Sequence, residues 1–139
     1  MNSTGNTLAY ELSRIYPVSR ERLFQALTDA AVLKKVWGVQ EIVVDARVGG
    51  TTRAMFITEG EDWSFSLTYT EIVPDRTLRW TVHFNSFPTK ETKVTVSLKD
   101  TADGTELLIR MKNFETAEER DANKQAWQRG LALLADSLS

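Results

Sequence analysis

The chain has 139 residues, of which 42% are hydrophobic and 26% charged, and its net charge is −2. Because it contains no cysteine and a single histidine, disulfide scaffolds, thiol catalysis, iron–sulfur clusters and cysteine-based zinc sites are excluded. The length fits one domain over residues 1–139, the acidity argues against a nucleic-acid-binding surface, and no apolar run approaches the roughly 20 residues of a membrane span.

The first part of the chain predicts a strand followed by two short helices. Residues 8–12 alternate between apolar and polar side chains, which is typical of a strand, and Pro17 ends it. Ser19 and Asp29 are the residue types that cap helices, and each precedes a short segment with apolar residues on one helical face. Trp37-Gly38 then ends the second helix.

From residue 39 onward the apolar residues recur at every second position, which predicts strands rather than helices. Short polar or glycine-containing segments separate these strands, and Gly49-Gly50, residues 59–62, Pro74-Asp75 and Asp103-Gly104 are predicted turns. Consecutive strands joined by such turns form an antiparallel meander. The predicted strands cover residues 39–45, 51–58, 64–73, 77–84, 93–99 and 107–111.

The last segment predicts a helix over residues 117–138, about 33 Å long. Thr116 and Glu119 have the spacing of a capping box at its start. The apolar face of such a sheet must be covered by another element, and only this helix is long enough to cover it. The fold class is therefore α+β: a curved antiparallel sheet of six to seven strands wraps around the C-terminal helix, with two short helices after the first strand.

Five segments carry a family resemblance: residues 14–29, 34–38, 47–53, 71–80 and 104–107. In this order they resemble the START-like (SRPBCC) superfamily and its helix-grip fold. Within it, the chain is similar to domains related to the C-terminal domain of the activator of the 90-kDa heat-shock protein ATPase. The resemblance implies a cavity between the sheet and the last helix, in a superfamily that includes ligand carriers, polyketide cyclases and chaperone regulators.

The inward-facing aromatic residues are the most informative candidates for a site. Such side chains either fill a core or line a pocket with an occasional polar handle, and the resemblance favours the pocket. The departures from the family's pattern, Gly38 after Trp37 and Ala126 before Trp127, are both expected to border it. The predicted ligand-binding residues are Trp37, Phe65, Tyr69, Trp80, Phe84, Trp127 and Leu131.

Glu71 is the one candidate for catalysis. Strict alternation after Phe65 places its carboxylate on the apolar face, where an arginine such as Arg53 or Arg79 could pair with it. Alternatively, a bulge or a salt bridge at the strand end turns Glu71 outward. On its strand, His83 points to the face opposite that of Trp80, so it is expected to face water.

The outer face of the strands carries more cations than anions. It either docks an acidic partner or forms a solvated face that resists aggregation. The residues concerned are Arg79, Lys93, Lys99, Glu106, Arg110 and Lys112.

These observations favour a cytoplasmic protein that binds a hydrophobic small molecule and is either non-catalytic or weakly catalytic. A chaperone-regulatory or other protein-interaction domain is the alternative, and an enzyme related to cyclases or hydrolases is the third hypothesis. We expect no metal, no other cofactor, no nucleic-acid partner and no membrane insertion, and either a monomer or a homodimer.

Overall fold

A computed structural model of the chain describes residues 8–58, 61–84, 87–114 and 116–138, with side chains except at 57, 58, 61–63, 84 and 87–91. It contains seven strands and three helices in the described residues. They are β1 (Ala9–Tyr16), α1 (Arg20–Leu27), α2 (Ala30–Trp37), β2 (Glu41–Val43), β3 (Thr51–Thr58), β4 (Glu61–Val73), β5 (Thr77–Phe84), β6 (Phe87–Thr101), β7 (Gly104–Lys112) and α3 (Ala117–Leu138).

The seven strands form one antiparallel sheet in the order β1-β7-β6-β5-β4-β3-β2. Strands β2 to β7 follow each other as a meander, whereas β1 pairs with the last strand, with Ala9 opposite Lys112 and Tyr16 opposite Thr105. The α+β helix-grip architecture predicted from the sequence is confirmed. Within the described residues, no helix combines the length and apolarity needed to cross a membrane.

The helices begin and end where the capping residues predict. Ser19 and Asp29 accept hydrogen bonds from main-chain N–H groups in the first turns of α1 and α2. Gly38 ends α2 in the left-handed conformation at φ 67°, which costs glycine little because it has no Cβ. At the start of α3, the Thr116 hydroxyl accepts from the Glu119 N–H at 3.0 Å.

A bulge interrupts the pairing of β4 with β5. Tyr69 lies opposite Trp80, but Glu71 lies opposite Arg79, so that Thr70 is one extra residue on β4. Beyond the extra residue, the alternation of the side chains between the two faces of the sheet is reversed. Thr70 and Glu71 are consequently both exposed.

Hydrogen bonds from β1 and α1 attach α3 to the rest of the fold. The Tyr10 hydroxyl donates to Asn123 Oδ1 at 2.6 Å, and the Tyr16 hydroxyl donates to the main-chain oxygen of Leu131 at 2.7 Å. Arg22 of α1 donates to the carbonyl of the last α3 residue at 2.9 Å. These bonds hold the helix near its start, its middle and its end, with the buried side of α3 against the sheet.

Candidate functional site

A cavity of about 380 Å³ lies between α2, α3 and the inner face of the sheet. Aromatic residues from five different elements surround it: Trp37 of α2, Phe56 of β3, Phe65 of β4, Trp80 of β5 and Trp127 of α3. Its volume falls within the range of roughly 300–1,000 Å³ that is usual for small-molecule sites. This space between the sheet and the last helix is therefore a candidate site for a small molecule.

Contacts between the rings hold the walls of the cavity in place. Trp37 packs edge-on against Phe65, with ring centroids 5.5 Å apart, and against Trp127 at 6.5 Å. Phe65 also contacts Phe56, with centroids 5.8 Å apart. The two edge-to-face pairs of Trp37 add about 0.5–1.5 kcal/mol each beyond the buried area. Together with the tilted Phe56–Phe65 pair, they form a connected wall from β3 to α3.

The helices contribute small residues where they approach each other beside the cavity. A Cβ placed on Gly130 of α3 would lie 3.1 Å from both Cγ1 and the main-chain oxygen of Val36 in α2. Gly130 thus allows α2 and α3 to pack closely, and both residues line the cavity. Gly38 and Ala126 border it as well, as predicted. Ala126 is exposed, so it marks the side of the cavity that opens to solvent.

The structure brings only part of the predicted set to the cavity. Tyr69 and Leu131 do not line it, and the side chain of Phe84, although its main chain belongs to β5, lies outside the described residues. The predicted residues that contribute to the lining are Trp37, Phe65, Trp80 and Trp127.

Tyr69 is packed in the core instead of facing the cavity. It is 2% exposed, and its hydroxyl lies 2.8 Å from the Thr52 hydroxyl, which is also buried. Burial raises the pKa of Tyr69, and the bond to Thr52 opposes that rise. The polar end of Tyr69 is therefore used within the protein rather than offered to a ligand.

Leu131 points to a different side of α3 from the cavity lining. Leu131 lies one helical turn after Trp127 but is turned by about 100° around the helix axis from Gly130, away from the cavity and toward the core. Leu131 and Leu134 are both buried in the core under α3, so this part of the helix covers the sheet without lining the cavity.

Three polar residues that were not predicted from the sequence also line the cavity. Thr92 of β6 is 2% exposed, Asn123 of α3 is half-buried, and Arg129 of α3 is exposed. Asn123 lies one helical turn before Trp127, so it shares the face of α3 that carries the tryptophan. That spacing was the signal from which Asn123 could have been predicted.

Glu71 lies at the surface, so the second of its two interpretations is correct. Its carboxylate forms an ion pair with Arg79, with Nε and Oε1 2.9 Å apart, and both side chains are about half exposed. The extra residue at Thr70 is the reason, because it reverses the alternation that Phe65 and Tyr69 establish. Placing Glu71 on the apolar face would have been wrong.

His83 lies on the outer face, as predicted, where it borders a second and wider groove of about 580 Å³. Arg53, Ser66 and His83 follow each other across β3, β4 and β5 in this groove. Val43 and Met55 lie at its edge, 69% and 37% exposed. The groove is thus open and of mixed polarity, in contrast to the aromatic cavity on the other side of the sheet.

The predicted cationic surface of the strands is partly neutralised. Arg110 pairs with Glu11 of β1 at 2.7 Å, and Arg79 pairs with Glu71 at 2.9 Å. Neither carboxylate was included in the predicted set, because the position of β1 beside β7 and the bulge in β4 are tertiary features. In the described residues, no cluster of three or more histidine, aspartate or glutamate side chains could hold a metal ion.

Comparison with known proteins places this geometry in a family. The family model described as Activator of Hsp90 ATPase homolog 1-like protein matches residues 17–139. No curated protein matches the chain.

Solved structures match over almost the entire chain. Protein CV1439 from Chromobacterium violaceum is 25% identical with a TM-score of 0.85, and the match covers 94% of this chain and 96% of that one. NE0264 from Nitrosomonas europaea is 23% identical with a TM-score of 0.78, covering 99% and 97% of the two chains. Ms6760 from Mycobacterium smegmatis is 17% identical with a TM-score of 0.79, covering 97% and 93%. The last two likenesses concern the fold alone.

Proposed function

The chain belongs to the Activator of Hsp90 ATPase homolog 1-like family, and from this premise and the cavity we propose that it binds a small hydrophobic molecule between the sheet and α3. The observation that carries the proposal is the cavity of about 380 Å³ walled by Trp37, Phe65, Trp80 and Trp127. Atoms that line an apolar space lack packing partners on one side, and a ligand would supply them.

The side chains around the cavity favour binding over catalysis. Arg129 is the single ionisable residue among the described residues that line it, and its side chain is exposed at the open side. A general acid or base must lie within hydrogen-bond reach of the reacting atom. Glu71 and His83 lie outside this lining, on the outer surface.

A protein-interaction role is the second candidate. The family description names activation of the Hsp90 ATPase, and the outer groove presents the apolar side chains of Val43 and Met55 to solvent. The ATPase rate of Hsp90 with and without this protein tests it directly. Stimulation that a Val43→Asp variant loses would favour this role.

The binding proposal is tested with N-phenyl-1-naphthylamine, a neutral dye whose emission rises in apolar surroundings. We expect the wild-type protein to bind the dye with a micromolar dissociation constant. Ala126→Trp places an indole at the open side of the cavity, so it should weaken binding by at least about tenfold, equivalent to about 1.4 kcal/mol.

Ala132→Trp is the matched control, because Ala132 is exposed on the same helix and does not line the cavity. It adds the same side chain elsewhere and should leave the affinity within about twofold, well under 1 kcal/mol. The proposal fails if the wild-type protein does not bind the dye, or if both variants change its affinity equally.

A further inference from the structure

The amide of Asn123 has a defined orientation at the wall of the cavity. Its Oδ1 lies 2.6 Å from the Tyr10 hydroxyl. This length is typical of an O–H···O bond and shorter than most bonds from N–H donors. The oxygen of the amide therefore faces Tyr10, and Nδ2 faces away from it.

A competing acceptor for the Tyr10 proton is weaker. The sulfur of Met111 lies 2.9 Å from the same hydroxyl, but a thioether accepts hydrogen bonds poorly compared with an amide oxygen. Burial also raises the pKa of Tyr10, so the phenol keeps its proton at any pH near neutrality. Tyr10 thus acts as a permanent donor that positions Asn123.

With Oδ1 occupied, the two N–H donors of Asn123 are the part of the amide directed away from β1. Asn123 lines the cavity together with Trp80, Met111 and Thr92. Asn123 is half-buried, so a ligand that fills the cavity beside it displaces water from these donors, and a ligand oxygen can replace that water whereas an apolar ligand leaves the donors unpaired.

The charge of the surroundings determines which kind of oxygen fits. Asn123 and Thr92 are neutral, and the cation of the lining, Arg129, lies on the exposed side of α3. A carboxylate beside Asn123 would lose its hydration without gaining a cationic partner, which is costly. A ketone, ester or amide carbonyl has no charge to desolvate.

We infer that the cavity selects apolar ligands that carry a neutral carbonyl oxygen, bound by the Nδ2 donors of Asn123. This inference rests on the proposed binding function and adds the chemical class of the ligand. Asn123 is then the residue that determines specificity, and Tyr10 is the positioning residue behind it.

Three probes with the same two-ring body test the inference: 2-acetylnaphthalene, its alkene analogue 2-isopropenylnaphthalene, and 2-naphthoate. Calorimetry or dye displacement gives their dissociation constants for the wild-type protein and for Asn123→Asp. The aspartate can still accept from Tyr10, but it replaces the two donors with a second acceptor. We expect the ratio of ketone to alkene affinity to fall at least about tenfold in the variant, as for the loss of one buried hydrogen bond.

Asn123→Leu is the second variant, which removes both polar atoms and keeps a similar volume. It should lower the same ratio while alkene binding stays within about threefold, since the apolar wall is unchanged. In the wild-type complex, the infrared carbonyl band of the ketone should shift to lower frequency relative to its position in hexane. This measurement uses the wild-type protein alone, so it does not depend on whether a variant folds.

The outcomes separate the two proposals. Equal ketone-to-alkene ratios in wild type and both variants, or an unshifted carbonyl band, overturn the inference while the binding function stands. Tighter binding of 2-naphthoate than of the ketone overturns the neutral-carbonyl assignment. If none of the three probes binds, the binding function falls and the inference falls with it.

Discussion

At the scale of single residues, the two tyrosines of β1 link the sheet to α3. Tyr16 is 1% exposed, its hydroxyl donates to the main-chain oxygen of Leu131, and the Arg14 guanidinium lies over its ring at 5.5 Å. Burial raises the pKa of Tyr16 to about 12, and the positive charge of Arg14 limits the rise. The folded protein therefore holds the proton of this phenol more tightly than the unfolded chain does.

The raised pKa of Tyr16 gives the folding stability a pH dependence in alkali. Below pH 10, near the ordinary tyrosine pKa, the phenol is protonated in both states and has no effect. Between about pH 10 and 12 the unfolded chain loses this proton and the folded protein keeps it, so the free energy of unfolding falls as pH rises. We expect Tyr16 to contribute a loss of about 2–3 kcal/mol by pH 12.

Tyr16→Phe isolates this effect, because the other tyrosines titrate equally in both proteins. At pH 7 the variant should be less stable by about 1 kcal/mol, the value of one hydrogen bond. Above pH 11 the order should reverse, as measured by urea unfolding followed by circular dichroism. A stability difference that stays constant from pH 7 to 11.5 would contradict the assignment.

The regular periodicity of a strand or a helix indicates from sequence which way a single side chain points. Trp80 follows from a regular strand and Trp127 from a regular helix, and both line the cavity. Tyr69 also points inward, but its hydroxyl pairs with Thr52, a contact between strands that periodicity does not reveal. The helical spacing to Trp127 indicates the face on which Asn123 lies, but its hydrogen bond with Tyr10, more than a hundred residues earlier in the chain, has no sequence signal.

At the scale of elements, the contact between α2 and α3 depends on Gly130. Alanine is favoured over glycine in a helix by about 1 kcal/mol, but its Cβ would meet the main-chain oxygen of Val36 at 3.1 Å. A main-chain oxygen cannot rotate away as a side chain can. We expect Gly130→Ala to lower the free energy of unfolding by about 1 kcal/mol, within the usual range for overpacking, as measured by urea unfolding.

Ala132→Gly provides the comparison, because Ala132 is exposed on the same helix and its replacement tests helix propensity alone. It should cost about 1 kcal/mol. If Gly130→Ala instead stabilises the protein by a similar amount, then Val36 yields and the close approach of the helices is not a constraint.

The strands show where sequence patterns fail to predict element boundaries. β2 covers Glu41–Val43 rather than residues 39–45, and β6 begins at Phe87 rather than residue 93. Alternation reports which side chains are buried, whereas a strand extends as far as its main chain is paired. The helix boundaries agree better with the prediction, since capping residues such as Asp29 define them by local hydrogen bonds.

At the scale of the whole molecule, the meander and its covering helix follow from the sequence, but the position of β1 does not. β2 to β7 pair with neighbours along the chain, and turns such as Asp103-Gly104 indicate this. β1 instead pairs with β7 across most of the chain length. Nothing local in residues 8–16 indicates which edge of the sheet they join.

This topology predicts the order of folding events. Closing the long loop between β1 and β7 costs more entropy than forming the hairpins of β5, β6 and β7. We expect the hairpins to form in the transition state and β1 to join afterwards. Val96→Ala, in the buried centre of β6, should therefore slow refolding, whereas Tyr16→Leu should mainly accelerate unfolding.

Stopped-flow measurements over a range of urea concentrations give both rates for each variant. The proposed order is wrong if Tyr16→Leu slows refolding by more than it accelerates unfolding, because β1 would then already be in place in the transition state.

The pairing of β1 with β7 also affects the oligomeric state of the protein after refolding at high concentration. Before β1 joins, β7 is an unprotected edge with free main-chain donors and acceptors. β1 of a second chain presents the same residues in the same register, so it fits that edge equally well. Refolding in concentrated solution should therefore yield domain-swapped dimers, in which β1 of each copy pairs with β7 of the other.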